Sequence, residues 1–165
     1  MKDTIKAYLP QVIQEVNHRL SVLKTVVDWV SFSTKLKSEL ISNIVETSFA
    51  TVVPLAVDPK KDAEPDLYID GHALELKTSK TTTTWRGGEF SKRNSDYLLI
   101  AWDEVNNEFK WFVCWTHLTE DDWKSSKSSS YYATTIDIND VLLKQETEIL
   151  LGETKQKRIK KHIKF

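Results

Sequence analysis

Asp66-Leu67-Tyr68-Ile69-Asp70-Gly71-His72-Ala73-Leu74-Glu75-Leu76-Lys77 is the stretch that decides the fold. Two short alternating segments flank Asp70-Gly71, a dipeptide suited to the left-handed turn of a β-hairpin. Taking Asp70 and Gly71 as the turn pairs Ile69 with His72, Tyr68 with Ala73, Leu67 with Leu74 and Asp66 with Glu75. If Gly71-His72 is the loop instead, Asp66 faces Lys77 and Glu75 becomes its diagonal neighbour. Either way Asp66, Tyr68, Glu75 and Lys77 share one face, and Leu67, Ile69, Leu74 and Leu76 share the apolar one.

Around this hairpin the 165 residues read as one α+β domain, a mixed central sheet flanked by helices. Upstream, Ile13, Val16, Leu20, Leu23, Val27 and Val30 form a helical stripe within residues 11–30, with Pro10 at its start. This stripe packs on its own domain or pairs with a second copy. Ser33 or Thr34 caps a second helix running to about Phe49, with Leu36, Leu40, Ile44 and Val45 on its buried face. Downstream, residues 78–96 read as a polar loop, with or without one short helix. Tyr97–Trp102 and Phe109–Trp115 are strands joined through Asn106-Asn107. Thr119 caps a short helix at 120–124, Ser125–Ser130 is a loop, and Tyr131–Ile136 is a strand. Residues 137–151 read as a helix stopped by Gly152. Trp111 and Trp115 belong to the core, and the four histidines are read as isolated.

Four Gly, four Pro and seventeen aromatic residues exclude collagen-like and disordered classes. Charges through the first thirty residues leave no room for a secretory apolar region, and no run approaches a membrane span. Cys114, the single cysteine, builds neither an internal disulfide nor a Cys-rich zinc site. The expectation is a soluble, cytoplasmic protein without membrane contact. Between Lys155 and Phe165 lie six basic residues and no acidic one, so residues 1–154 carry −7 against −1 for the whole chain. A basic end on an acidic body suggests contact with a polyanion, or else a solvated helix or frayed tail.

Two carboxylates opposed on one sheet face need a compensating cation. Lys77 supplies one charge, and a divalent ion would supply two. With no histidine pair nearby, a hard cation such as Mg²⁺ fits better than zinc. A metal between phosphate and water polarises the phosphoryl oxygen and acidifies the water, while a lysine stabilises developing charge. Two acids and a lysine on adjacent strands therefore suit metal-assisted phosphodiester hydrolysis; the bland alternative is a surface salt-bridge cluster. The tripeptide E-x-K recurs at Glu108–Lys110 and Glu153–Lys155, but only Glu75–Lys77 has an acid on a partner strand. Near the Asn106-Asn107 turn, Asp103 and Lys110 can form a surface ion pair.

Pro65-Asp66 followed after eight residues by Glu75-Leu76-Lys77 resembles the motif of the PD-(D/E)XK nucleases. The order of helix, hairpin and strands over about residues 34–117 resembles their core. The resemblance implies a restriction-endonuclease-like fold and a Mg²⁺-dependent DNA endonuclease, with Mn²⁺ able to substitute. Asp66, Glu75 and the backbone carbonyl of Leu76 would be metal ligands, and Lys77 would position or activate the attacking water. A further acid on the preceding helix is common in the family; Glu46 is the first candidate and Glu39 the second. In place of a helix after the E-x-K strand this chain has a Thr run and Gly87-Gly88, poor helix material.

Small chains of this superfamily are often type II restriction endonucleases, which cut duplex DNA at short palindromes as homodimers. Residues 11–32 are the candidate dimer contact. Lys80, Thr82, Arg86, Lys92, Arg93 and Asn94 follow the catalytic strand and are residue types that contact phosphates or base edges. Lys124, Lys127 and the serines at 125–130 are a weaker second DNA-facing loop. A structure-specific nuclease, such as a Holliday junction resolvase or repair endonuclease, would use the same acids and lysine. A non-catalytic DNA-binding or protein-interaction module with a relict hairpin is the reading from another class.

Overall fold

Asp70 and Gly71 both take positive φ (51° and 75°), the mirror-image turn whose twist matches antiparallel strands. In the computed structural model this turn joins β2 (Leu67–Ile69) to β3 (His72–Ser79). Their register is Leu67 with Leu74, Tyr68 with Ala73 and Ile69 with His72, as the Asp70-Gly71 reading expects. The structure describes the chain except residues 60–63, 81–82, 87–93, 127–132 and 158–159. The side chains of 125, 126, 133, 156, 157 and 160 also lie outside the description. The fold is mixed α+β. Strand pairing orders its main sheet β1 (Ala56–Val57), β2, β3, β5 (Ser95–Val105), β6 (Glu108–Leu118), β9 (Glu148–Leu151).

The chain divides into two units, Met1–Leu74 and Glu75–Phe165. In the first, α1 (Lys2–Val26) buries Ile5, Leu9, Val12, Val16 and Leu20, one stripe at spacings of three and four. The helix starts well before the expected position and carries Pro10 in its interior. Ile5 and Leu9, 0% and 3% exposed, extend the apolar stripe past the proline, and their burial offsets its missing N–H. Of the expected stripe, Val16 and Leu20 are buried, and the helix ends at Val26, short of its last two members. Ile13 and Leu23 are half-buried, Val27 lies beyond the helix, and Val30 is exposed.

Ser33 caps α2 (Thr34–Val52), its hydroxyl accepting the Leu36 N–H at 3.2 Å. The buried face of α2 is Ile41, Val45, Ser48 and Phe49. Of the four residues expected there, only Val45 is fully buried; Leu36 is exposed, and Leu40 and Ile44 are half-buried. Arg19 ties the helices together. It donates to Glu15 at 2.7 Å on α1, and to Thr47 and Thr51 at 3.0 Å on α2. The short β1 (Ala56–Val57) then pairs with β2.

In the second unit, β5 (Ser95–Val105) and β6 (Glu108–Leu118) form a long hairpin. Asn106 and Asn107 form its turn with φ of 51° and 68°. Strand β3 runs parallel to β5, with Glu75 beside Tyr97 and Lys77 beside Leu99. Asp103 does face Lys110, but Lys110 pairs with Glu108 at 3.1 Å, while Asp103 accepts the Glu104 N–H.

Residues 78–96 are not all loop. Strand β3 extends to Ser79, and β4 (Thr84–Arg86) joins β7 (Lys124–Ser126) and β8 (Ala133–Asp137) in a three-stranded sheet ordered β4-β8-β7. Trp85 is the cause. It is 1% exposed, donates its indole N–H to the Ile100 carbonyl at 2.9 Å, and packs on Phe112. The core around it holds Tyr97, Leu99, Phe112, Cys114, Trp123 and Ile136. Burial pushes the Cys114 thiol up to about 12, so this sulfur is packing material. Trp111 and Trp115 are buried as expected.

The helix expected at 137–151 is corrected to a single turn, α3 (Ile138–Val141), followed by strand β9 (Glu148–Leu151) on the edge of β6. Pairing satisfies the backbone groups of β6 that a helix would leave open. Lys144 is drawn instead to Asp122, at 2.8 Å. Burial pushes the Asp122 carboxyl up, but hydrogen bonds from Lys144 and the Thr119 amide hold it below its ordinary value. Asp122 closes a capping box on the 3₁₀ turn Glu120–Asp122, where a short helix was expected.

Gly152 does not stop a helix; it turns β9 into β10 (Glu153–Lys157) at φ 83°. A Cβ there would lie 3.1 Å from the Phe112 ring, so glycine is needed both for backbone conformation and for space. Strand β10 pairs with β11 (Lys160–Lys164) as a two-stranded ribbon. In its described residues the basic end is thus neither a helix nor a frayed tail.

Candidate metal and DNA site

Alternation along β3 sends Leu74 and Leu76 to one side and Glu75 and Lys77 to the other. In the second unit the Glu75 and Lys77 positions share a face with Tyr97 and Leu99, which belong to the aromatic core. Glu75 is consequently far more enclosed than a surface salt bridge. Its side chain is 2% exposed, against 18% for Lys77.

A carboxylate this enclosed requires charged or hydrogen-bonding partners. The Lys77 ammonium donates to Glu75 Oε2 at 3.4 Å and to the Leu76 carbonyl at 3.1 Å. Two oxygens of different origin, one carboxylate and one backbone, thereby converge on a single cationic centre. Such an oxygen pair suits a hard divalent ion, which accepts one or two carboxylates with carbonyl and water oxygens completing its shell. The ammonium marks where a cation is favoured. Among the described residues no three His, Cys, Asp or Glu side chains gather as metal ligands; Mg²⁺ does not require such a cage.

In the first unit Asp66 immediately precedes β2 and is half-buried. Beside it on the hairpin, Tyr68 donates its hydroxyl to Glu64 at 2.6 Å, and that hydrogen bond raises the phenol's pKa. Glu46 lies on α2, half-buried, where it accepts the Ser42 hydroxyl at 3.1 Å. Glu39 is exposed on the same helix, 3.9 Å from Lys35.

Of the expected DNA contacts, Lys80 is exposed with its ammonium 5.4 Å from the Trp102 ring centre. Arg86 is exposed on β4, one residue beyond the buried Trp85. Asn94 is exposed immediately before β5. Thr82, Lys92 and Arg93 lie outside the described residues. In the weaker second loop, Lys124 is held by Asp140 at 2.7 Å. Lys127 and Ser128–Ser130 lie outside the described residues, and residues 124–126 are strand rather than loop.

One pair escaped the sequence reading. His117 Nδ1 is 2.8 Å from Asp96 Oδ1, because Asp96 and His117 are direct cross-strand partners on β5 and β6. The signal was present in the Asn106-Asn107 turn, since a two-residue turn there dictates this register. The carboxylate fixes one imidazole nitrogen and leaves the ring partly exposed. Tyr97 and Thr116, the adjacent cross-strand pair, share the face of Glu75, so Asp96 and His117 occupy the opposite one. His117 therefore does not belong to the Glu75–Lys77 group.

Neither a protein-family model nor a curated protein matches the chain.

Proposed function

We propose that this chain is a Mg²⁺-dependent endonuclease that hydrolyses phosphodiester bonds of duplex DNA, of the type II restriction class, with Mn²⁺ able to replace Mg²⁺. The observation that carries this reading is the meeting of Glu75 Oε2 and the Leu76 carbonyl on the Lys77 ammonium. In the proposed site these two oxygens would hold the metal, with Asp66, the acid of the Pro65-Asp66 motif, as a further ligand. The bound ion supplies Lewis-acid polarisation of the phosphate and acidifies a water. Lys77 orients that water and stabilises charge developing on the phosphate. The enclosure of Glu75 keeps its carboxylate in a setting of low polarity, where each of these interactions is stronger than in bulk water.

Cutting both strands of a palindrome calls for a two-fold pair of chains. Support for a second copy comes from the apolar surface left on the helical unit. Val22 and Val26 on α1 are 51% and 74% exposed, and they border an open groove of about 530 Å³ with Leu23, Leu40 and Ile44. Among the described residues no helix is long and apolar enough to cross a membrane.

The test is incubation of the protein with plasmid and with branched DNA in Mg²⁺, with EDTA as control. Discrete fragments from linear duplex are expected. Cutting confined to four-way or flapped substrates would move the assignment to structure-specific nucleases. No cutting in either Mg²⁺ or Mn²⁺ would favour a binding module.

A further inference from the structure

The most strongly charged element of the fold lies outside the proposed metal site. Ribbon β10–β11 pairs Glu153 with Lys164, Thr154 with Ile163, Lys155 with His162, Gln156 with Lys161 and Lys157 with Lys160. Like charges directly opposed across two strands destabilise a sheet. Yet Lys157 faces Lys160, and no acidic residue lies between Lys155 and the end of the ribbon. The pairing persists because the ribbon is anchored elsewhere. Ile163 is 2% exposed within the core of the second unit. Asn139 on α3 grips the Lys161 backbone, accepting its N–H at 2.7 Å and donating to its carbonyl at 3.4 Å. By alternation, Lys155 and His162 lie on the face opposite Ile163, and Lys155 is exposed.

We propose that β10–β11 is a duplex-DNA contact whose basic register positions Lys155, Lys157 and Lys160 sit against backbone phosphates. From Glu153 to Lys164 the ribbon carries six Lys and Arg against one acidic residue, and a polyanion supplies the balancing charge. Three features select duplex DNA. A two-stranded ribbon is narrow enough to enter or track a major groove. No Phe, Tyr or Trp occurs from Glu153 to Lys164, which leaves the single ring of His162 and makes the ribbon a poor stacking platform for single strands. Among its described residues the buried apolar side chain, Ile163, is committed to the core, and none is left as the kind of apolar anchor that seats an element in a lipid surface. This inference rests on DNA being the partner, but it concerns binding and is tested without cleavage.

The experiment measures anisotropy of a labelled duplex of about 30 base pairs in EDTA, from about 50 to 200 mM salt. It compares wild type with the triple variant Lys155→Gln, Lys157→Gln, Lys160→Gln, and with Lys35→Gln as a surface control. The triple variant is expected to bind at least about tenfold more weakly, with the slope of log affinity against log salt reduced by roughly two to three. The control is expected to match wild type. Because the substitutions relieve cation–cation opposition, the triple variant should melt no lower than wild type, which separates a lost contact from a lost fold.

An unchanged slope and affinity overturns the inference, as does an equal loss for Lys35→Gln. A loss seen only with single-stranded DNA or with phosphatidylserine vesicles also overturns it, in favour of those partners. If wild type binds duplex through the ribbon but never cuts, the nuclease reading fails and the ribbon stands. If it cuts and the triple variant binds normally, the ribbon fails alone.

Discussion

Replacing Lys77 with Met is expected to lower DNA cleavage by the proposed nuclease about 10²–10³-fold, the loss typical of removing one group that stabilises transition-state charge, while duplex binding persists. The same variant is expected to bind Mn²⁺ about tenfold more tightly than wild type. The reason is local. The Lys77 ammonium donates to the oxygens of Glu75 and Leu76, and a divalent ion in the proposed site would displace it. Removing the ammonium abolishes that competition, which is worth roughly the energy of one charge-assisted hydrogen bond. Glu75 is almost fully enclosed, so the metal-free variant also loses stability, and Mn²⁺ raises its melting temperature by more than it raises that of wild type. Manganese titration by electron paramagnetic resonance, with cleavage assays alongside, reads both effects. Wild-type cutting by Lys77→Met removes the lysine from the chemistry. Weaker Mn²⁺ binding by the variant would show that Lys77 assists the metal rather than holding its place.

The largest stability effect is expected at Trp85. Trp85→Ala removes a side chain that is 1% exposed, its hydrogen bond to Ile100 and its packing on Phe112. Large aromatic truncations of this kind cost about 3–5 kcal/mol, a sizeable share of the ~5–15 kcal/mol that holds a typical domain together. Urea unfolding should show a lower midpoint with an unchanged slope. Arg86→Ala, one residue along and exposed, should fall within about 0.5 kcal/mol of wild type. A Trp85→Ala midpoint equal to that of wild type would mean that β4 is not packed into the core.

Trp85 also shows where sequence reading succeeds and where it stops. Hairpin turns are local. Asp70-Gly71 and Asn106-Asn107 dictate backbone twist and register within a few residues, and both hairpins follow the sequence closely, down to Glu75 and Lys77 alternating with Leu74 and Leu76. The Ser33 cap was legible for the same reason. Edge pairing is not local. Residues 137–151 carry enough apolar side chains for a helix, but the open edge of β6, some thirty residues earlier, decides that 148–151 form a strand. The basic end likewise has no helical or strand preference that overrides its charge. Its ribbon depends on Ile163 reaching the core and on Asn139 capturing Lys161. Polar neighbours disguised Trp85 as loop.

At the candidate site, sequence supplied the residue types and their alternation. The enclosure of Glu75 and the turning of the Lys77 ammonium onto the Leu76 carbonyl come from the core beside β3. The Asp96–His117 pair was readable from its turn but was hidden by treating each histidine singly.

The most direct test of the proposed nuclease is duplex cleavage by wild type and Asp66→Ala, side by side in Mg²⁺, at matched DNA occupancy. If Asp66 completes the metal site with Glu75 and Leu76, wild type cuts and the variant binds without cutting. Indistinguishable behaviour of the two proteins would contradict it.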